Sequence, residues 1–358
     1  MSPSRRVIAH LDIDAFYASV ELERHPEARG RPLVVAGSGP RAVVTTASYE
    51  ARRYGIESAM PAARARALCP DAIFLPPDFA TYRAKSREVW DIVRARFETV
   101  GQVGIDEAYV DVSDIARPLP ALRELVAEVR RRTGLVVSVG VGPSRLVAKT
   151  ASSAFKPAAF VAMGRDQAAA HFAEHPVRVL QGIGPKTAGR LAALGIHTVG
   201  DLQRAPLALL GDRFGEHGAH ALHARAHFHD DSPVETTRVA KSRSTELTFP
   251  TDVSDALRLE ETLFELAREL ADGLRARALR ARTIGVKIRL DDWTTVTRAR
   301  TLEHYVDDGA TISSVALDLL RAYAPKRPVR LLGVRVASFE DEQPSVAQRD
   351  ERQLVLPV

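Results

Sequence analysis

Two groups of carboxylates are the residues of this sequence best suited to chemistry. Asp12 and Asp14 lie two residues apart in LDIDAFYASVE, and Asp106 and Glu107 are adjacent in GIDEAYVDVS. Neighbouring side chains on a strand point to opposite faces, so Asp106 and Glu107 can converge only at a bend, which we expect Gly104 to allow. If Asp12 lies beside this pair, the repulsion among three carboxylates requires a cation.

Oxygen ligands of this kind favour Mg²⁺ or Mn²⁺, which bind through few carboxylates and keep positions for water and substrate phosphates. Two such ions could activate an attacking oxygen and stabilise a leaving pyrophosphate. The carboxylates alone would equally serve a two-metal nuclease, and acids at strand ends are commonly only solvent-exposed.

Side chains that could bind a triphosphate occur in two further segments. TTASYEARRYG supplies Thr46, Tyr49 and Arg52, and KTASSAFKP supplies Lys149 and Lys156. Hydroxyl groups, an arginine fork and ammonium groups are the donors that a phosphate chain requires. Their presence favours nucleotidyl transfer over a nuclease reaction.

Regions of different secondary structure must position these residues. Residues 1–165 mix short apolar runs with amphipathic stretches, which predicts an α+β domain. Residues 166–230 lack strand patterns and predict a small helical domain, and the polar segment 231–241 reads as a linker. Residues 242–340 predict the order βαββαβ, which gives a four-stranded sheet backed by two helices.

The C-terminal sheet is predicted to carry cations on one face. Strand alternation separates Lys287, Arg289 and Arg335 from their apolar neighbours. Residues 270–330 carry an excess of five positive charges, which equals the net charge of +5 of the whole chain. Such a face suits contacts to a phosphate backbone, although a merely solvated face has the same pattern.

The bulk composition limits the class of protein. A chain of 358 residues with 45% hydrophobic residues is expected to form several domains. A single cysteine, Cys69, excludes an intramolecular disulfide framework and a thiolate zinc cluster. The sequence has no membrane-spanning apolar run and no signal-peptide pattern, so we expect a cytoplasmic protein without a membrane partner.

The motifs, taken in order, resemble those of a known family. LDIDAFYASVE, TTASYEAR, GIDEAYVDV, VGVGPSRLVAKTASSAFKP, GIGPKTAGRLAALGI and KSRSTELTFP together resemble a Y-family DNA polymerase of the bacterial polymerase IV (DinB) group. The resemblance implies a multidomain right-hand α+β fold. Its implied divisions are a palm (1–10 and 76–165), fingers (11–75), a helical thumb with a helix-hairpin-helix (166–230), a linker (231–241), a βαββαβ little finger (242–340) and a tail (341–358).

The resemblance also implies roles around the carboxylates. Asp12, Asp106 and Glu107 match the catalytic, metal-binding acids of the family, which hold two Mg²⁺ ions per site, and Mn²⁺ can substitute. Ile13 would add its backbone carbonyl as a ligand. Asp14 matches a family acid that is not a direct ligand.

Further residues match nucleotide and DNA contacts of the family. Tyr17 matches the steric gate that excludes a ribose 2′-hydroxyl, and Phe16 would lie under the incoming nucleotide. The implied triphosphate contacts are Thr46, Tyr49, Arg52 and Lys156. The implied DNA contacts are Gly182, Gly184, Lys186, Lys241, Arg243, Lys287, Arg289 and Arg335.

The apolar end of the tail, QLVLPV, resembles the peptide by which such polymerases bind the replicative sliding clamp. Gln353, Leu354 and Leu356 match its anchor positions. The final Pro357 and Val358 depart from the usual ending, as Gly104 and Ala15 depart from the family pattern near the carboxylates.

The sequence therefore predicts a monomeric, template-directed DNA polymerase of low fidelity that acts in translesion synthesis. Its expected partners are primer-template DNA, dNTPs and the sliding clamp, and no proofreading site is evident. The alternatives from other classes are a two-metal nuclease and a non-catalytic DNA-binding scaffold recruited by the clamp.

Overall fold

The computed structural model describes residues 6–237 and 239–340. These residues form two compact units. The first unit contains the described residues up to Val35, together with Thr46–Gly55 and Pro77–Thr237. The second contains Ala36–Thr45, Ile56–Pro76 and the described residues after 238. The division into palm, fingers, thumb and little finger stays a prediction.

Strands and helices are mixed along the described residues, which confirms the α+β prediction. The strands are β1 (Ile8–Ile13), β2 (Leu33–Ala36), β3 (Val44–Ala47), β4 (Ile73–Leu75), β5 (Val100–Gln102), β6 (Glu107–Asp111), β7 (Val137–Gly142), β8 (Phe160–Ala162), β9 (Ser242–Val253), β10 (Ala281–Leu290), β11 (Thr295–Val306) and β12 (Val329–Phe339). The helices are α1 (Phe16–Arg24), α2 (Tyr49–Arg52), α3 (Ala62–Leu68), α4 (Phe79–Arg94), α5 (Pro118–Thr133), α6 (Arg145–Ala154), α7 (Arg165–His171), α8 (Pro185–Ala192), α9 (Val199–Arg204), α10 (Leu207–Ala226), α11 (Ala256–Arg275) and α12 (Gly309–Tyr323). Short 3₁₀ helices occupy Pro26–Ala28 and Val177–Val179.

A five-stranded sheet of order β5-β6-β1-β7-β8 organises the first unit. The strand β1 is buried along its whole length and pairs antiparallel with both β6 and β7. The fifth strand, β8, runs parallel to β7. The central position of β1 explains its apolar sequence, since both of its faces are covered.

Local capping and helical periodicity explain the helices that flank the large sheet. Asp78 caps α4 by accepting the backbone N–H of Thr81 at 3.1 Å. The buried face of α4 includes Tyr82, Val89 and Trp90 at helical spacing. The helix α6 is capped in the same way by the hydroxyl of Ser144.

The segment from α7 to α10 contains helices and no named strand among its described residues, which confirms the prediction of a helical region. Its core contains Phe172, Leu191 and Leu202, and it packs against Leu146 and Val147 of α6. No helix in the described ranges is long and apolar enough to cross a membrane.

The second unit contains the predicted βαββαβ arrangement, formed by β9, α11, β10, β11, α12 and β12. The four strands pair antiparallel in the order β11-β10-β12-β9. Ile284, Val286 and Ile288 point to the buried side, where they join the apolar faces of α11 and α12. The period-two pattern of β10 therefore predicted the faces correctly.

Candidate active site and nucleic-acid interface

Strand pairing brings the two groups of carboxylates together. Asp12 of β1 lies directly opposite Glu107 of β6. The N–H of Ile13 donates to the carbonyl of Asp106 at 2.9 Å, so Asp106 lies at the end of the same ladder. All three carboxylates, together with the backbone of Ile13, therefore lie at one end of the central strands.

The chain bends sharply between β5 and β6, as the adjacency of Asp106 and Glu107 requires. The N–H of Gly104 donates back to the carbonyl of Glu107 at 3.2 Å. A Cβ atom at Gly104 would lie 3.1 Å from Cγ of Glu107 and 3.3 Å from Oδ1 of Asp106. The glycine therefore leaves space for the two carboxylates, and its backbone needs no left-handed conformation.

His10 belongs to this site and was missed by the sequence analysis. It is completely buried. Its Nδ1 lies 2.8 Å from Oγ of Ser152, and its Nε2 lies 3.5 Å from Oε2 of Glu107. One ligand atom each from His10, Asp12 and Glu107 lie within 4.8 Å of one another. The available signal was the spacing of two between His10 and Asp12, which places both on one face of β1.

Two lysines neutralise much of the negative charge. Lys149, on α6, donates to Glu107 and lies 3.5 Å from Oδ2 of Asp12. Lys156 donates to Oδ1 of Asp12 and lies 3.8 Å from Oδ1 of Asp14. Both lysines were predicted as phosphate ligands, and the structure places them in contact with the predicted metal ligands.

The carboxylates differ in their affinity for protons. The pKa of Asp106 is raised to about 6, mainly by burial and to a smaller extent by the negative charges of Asp12 and Glu107. The close approach of the His10 ring and the charge of Lys149 lower the pKa of Glu107 to about 2. A bound cation would therefore favour the ionised form of Asp106.

The donor set of this cluster fits a hard divalent cation. Asp12, Asp106 and Glu107 offer carboxylate oxygens, which Mg²⁺ and Mn²⁺ prefer. His10 contacts Glu107 from the buried side, where it can orient the carboxylate as partners behind metal ligands do. These residues can therefore hold a metal ion at the end of β1.

Aromatic rings lie beside the carboxylates. Tyr17 stacks on Tyr82 with ring centroids 4.3 Å apart and meets Phe79 edge to face at 6.0 Å. Burial, followed by the charge of Asp106, raises the pKa of Tyr17 to about 12. The buried ring of Phe16 packs at 5.4 Å from that of Tyr17. Tyr82 and Phe79 were not predicted from sequence, although they hold the ring of the expected gate.

Of the triphosphate contacts predicted in TTASYEARRYG, Tyr49 interacts with the carboxylate of Asp14. Thr46 is buried at the end of β3, and α2 begins at Tyr49. Burial and the negative charge of Asp14 raise the pKa of Tyr49. The guanidinium of Arg52 lies 4.8 Å from the Tyr49 ring centroid, and its Nε donates to the carbonyl of Ala47 at 3.0 Å.

The predicted hairpin of the helical region has the expected turn. Gly182 adopts φ of 89°, a left-handed conformation that favours glycine, and Gly184 caps the N-terminus of α8. Lys186 is exposed at the second residue of that helix. The first N–H groups of α8 have no partner within a helix and can bind a phosphate.

Three cations of the second unit share the outer face of its sheet, as predicted. Register places Arg335 opposite Gly285, and Lys287 and Arg289 follow Gly285 at intervals of two along β10. We call Lys287, Arg289 and Arg335 the outer-face cations. Lys287 is ion-paired with Glu246 at 2.7 Å, so it contributes less free positive charge than expected.

The other predicted DNA contacts of this region lie elsewhere. Arg243 lies opposite Val336, a buried residue of the helix-covered side, so register places it on the face away from Arg335. Lys241 is exposed just before β9. Gln353, Leu354 and Leu356 lie outside the described residues.

Comparisons with known proteins support the family resemblance that the sequence motifs indicated. The impB/mucB/samB family matches residues 11–153, and the impB/mucB/samB family C-terminal domain matches residues 240–351. A DNA polymerase IV of Methanoculleus marisnigri is 42% identical over 98% of this chain and 99% of its own length. A DNA polymerase IV of Caulobacter vibrioides is 39% identical over 93% of this chain and 84% of its own length.

Among solved structures, a Y-family DNA polymerase chimera matches with a TM-score of 0.83 and 26% identity, over 92% of this chain and 98% of that one. The sequence and structural matches cover both units. The chain therefore belongs to the impB/mucB/samB family of Y-family DNA polymerases. The resemblance to the polymerase IV group is confirmed.

Proposed function

We propose that this protein extends a DNA primer by a two-metal reaction at the end of β1, as a low-fidelity polymerase of translesion synthesis. Its family makes it a DNA-directed DNA polymerase that uses primer-template DNA and dNTPs. The observation that carries the proposed site is the convergence of Asp12 and Glu107 as a register pair, with Asp106 next to them.

Asp12, Asp106 and Glu107, with the carbonyl of Ile13, would hold two Mg²⁺ ions, and Mn²⁺ would substitute. Bound ions would activate the primer hydroxyl and stabilise the leaving pyrophosphate. In the structure Lys149 contacts Glu107 and Asp12 and holds both carboxylates by its charge. These contacts reduce the repulsion that three neighbouring carboxylates would otherwise have.

The nucleotide would lie between the carboxylates and the aromatic cluster. The Tyr17 ring, held by its stack on Tyr82, would occupy the space that a ribose 2′-hydroxyl needs. Phe16 would support the nucleotide. Its phosphates would meet four side chains, which are Thr46, Tyr49, Arg52 and Lys156.

The duplex would be held through its phosphates rather than through its bases. Supporting this, the turn before α8 presents backbone N–H groups, and the outer-face cations share one surface of the second unit. We further propose that the tail with Gln353, Leu354 and Leu356 binds the sliding clamp, and that the protein acts as a cytoplasmic monomer without proofreading.

Primer extension separates this function from the alternatives. Wild type should lengthen a labelled primer only with Mg²⁺ or Mn²⁺, and Asp106→Ala should abolish extension because it removes a metal ligand. Asp166→Ala is a suitable control, since the Asp166 side chain is 88% exposed in a contact with its neighbour. A nuclease would shorten the primer, a scaffold would leave it unchanged, and full extension by Asp106→Ala would refute the site.

A further inference from the structure

Asp14 is a buried carboxylate beside the proposed metal ligands that the proposed mechanism does not use. It is 3% exposed. Its Oδ2 accepts the backbone N–H of Ala158 at 2.6 Å, and its Oδ1 accepts the hydroxyl of Ser138 at 2.8 Å. Both oxygens are engaged by donors of the protein, so Asp14 is arranged to hold part of the chain rather than a cation.

Ser138 binds the residue that follows Ala158 in the same turn. It is fully buried on β7, directly opposite Asp12 of β1. While its hydroxyl donates to Asp14, its oxygen accepts the N–H of Ala159 at 3.0 Å. Asp14 and Ser138 together therefore bind the N–H groups of two successive residues, which fixes both the position and the direction of this turn.

The turn needs such support because its backbone is unfavourable. Ala158 has φ of 54°, in the left-handed region that residues with a Cβ atom rarely adopt. Conformations of this kind persist where surrounding contacts impose them, and they are common at functional sites. The N–H of Ala158 is the group that the Asp14 carboxylate accepts, so the constraint acts at the strained residue itself.

The turn directly follows Lys156, whose ammonium group lies among the carboxylates of the site. The Lys156 ammonium contacts Asp12 and lies 3.8 Å from Asp14. A lysine side chain has four flexible bonds, and the cost of placing its ammonium falls when its backbone is fixed. The position of the turn therefore decides where this ammonium can reach.

We infer that Asp14, together with Ser138, is a positioning residue that holds the turn after Lys156 and so presents its ammonium to the triphosphate of the incoming nucleotide. This inference rests on the proposed function, which assigns Lys156 to the triphosphate. Asp14 does not touch the nucleotide in this scheme and acts through Lys156 alone.

The test is a double-mutant cycle on nucleotide affinity. The Kd for a dNTP is measured with the full chain bound to a primer-template whose primer ends in a dideoxynucleotide, so no turnover occurs. Lys156→Met keeps an unbranched apolar stem but removes the ammonium, and it should weaken dNTP binding roughly tenfold or more. Asp14→Ala should weaken it similarly, and the double variant should be no worse than Lys156→Met, because residues that act as one unit are not additive.

Two further variants separate positioning from charge and from general stability. Asp14→Asn can turn its amide so that the oxygen still accepts the N–H of Ala158, and it should retain most of the dNTP affinity. Ser113→Ala is the matched control, since the Ser113 hydroxyl accepts the N–H of Val7 at 2.9 Å away from this turn. It should leave dNTP affinity unchanged, and every variant should bind the primer-template as wild type does.

The outcomes distinguish the inference from the function on which it rests. If Lys156→Met binds dNTP normally, the triphosphate role of Lys156 is wrong and the inference falls with it. If Lys156→Met weakens dNTP binding but Asp14→Ala does not, Asp14 does not act through Lys156. The same conclusion follows if the two increases in Kd multiply in the double variant. Should Asp14→Ala fail to fold, Ser138→Ala replaces it in the same cycle with the same criteria, since it removes the acceptor for Ala159.

Discussion

Replacing Asp106 by asparagine should stabilise the metal-free protein although it destroys the active site. Burial, followed by the charges of Asp12 and Glu107, raises the pKa of Asp106 from the ordinary 3.8 to about 6. The folded protein therefore opposes ionisation of this carboxyl group. Asparagine has nearly the same shape and carries no charge, so the substitution removes this cost.

The pKa gives the size and the pH range of the effect. Each pKa unit corresponds to about 1.4 kcal/mol, so ionised Asp106 would cost the folded state about 3 kcal/mol, and partial solvent exposure reduces this to about 1–3 kcal/mol. At a pH below both pKa values the group is protonated in the folded and unfolded states, and no penalty exists. The penalty grows as pH rises from about 4 to about 6 and stays constant above. The gain of Asp106→Asn should therefore be full at pH 8 and fade on acidification.

Trp90 offers a local signal for this measurement. It is buried in α4, and its indole N–H donates to the carbonyl of Ile105 at 3.0 Å, next to Asp106. In a Trp293→Phe background, Trp90 is the remaining tryptophan of the chain. Its fluorescence then reports the unfolding of the first unit in urea, in EDTA, at pH 8 and pH 5.

Asp106→Asn should unfold at higher urea than its parent at pH 8, with a smaller difference at pH 5. Mg²⁺ that binds the folded parent should stabilise it by mass action, and it should stabilise the variant much less. The stability advantage of the variant over its parent should therefore shrink or reverse when Mg²⁺ is added. Asp166→Asn, at an exposed position, serves as the control and should change neither midpoint. A variant that is less stable than its parent in EDTA at pH 8, or equally stabilised at both pH values, would refute the electrostatic account.

Further predictions concern the nucleotide, the duplex and the tail. Tyr17→Ala should raise rNTP incorporation relative to dNTP incorporation, because it removes the ring that Tyr82 holds; an unchanged ratio would show that Tyr17 is not the gate. Neutralising the outer-face cations should weaken DNA binding uniformly across sequences and reduce the slope of log affinity against log salt by about two, since Glu246 already pairs with one of the three. An unchanged slope would exclude this face as a phosphate contact. Removing residues 353–358 should abolish stimulation by the clamp while short-primer extension persists, and undiminished stimulation would exclude this peptide as the tether.

The sequence determined the parts of the fold that follow from local periodicity. Strand alternation in β10 assigned Ile284 to the core and Lys287 to the outer face, because successive side chains point to opposite sides. The order βαββαβ followed from the same patterns. The carboxylates and the expected gate were recognised from short motifs, whose residue types and spacing carry their chemistry.

Only the tertiary structure decided which of these residues meet. Asp12, Glu107 and Lys149 come from β1, β6 and α6, and no local pattern states that their side chains touch. The sequence also did not reveal that Lys149 and Lys156 contact Asp12 and Glu107. Contacts between distant segments depend on strand register and on the packing of a helix against the sheet. A shift of one residue would move these side chains to the opposite face.

Arg243 and Asp14 show the same dependence on tertiary structure. Arg243 was predicted as a DNA contact from the family resemblance, and only its register with Val336 shows that it lies on the face of the sheet away from Arg335. Asp14 was set aside as a non-ligand, and its role became visible only through its hydrogen bonds to Ser138 and Ala158. The sequence specifies the chemical type of each group, whereas contacts between segments far apart along the chain determine the partner of each group.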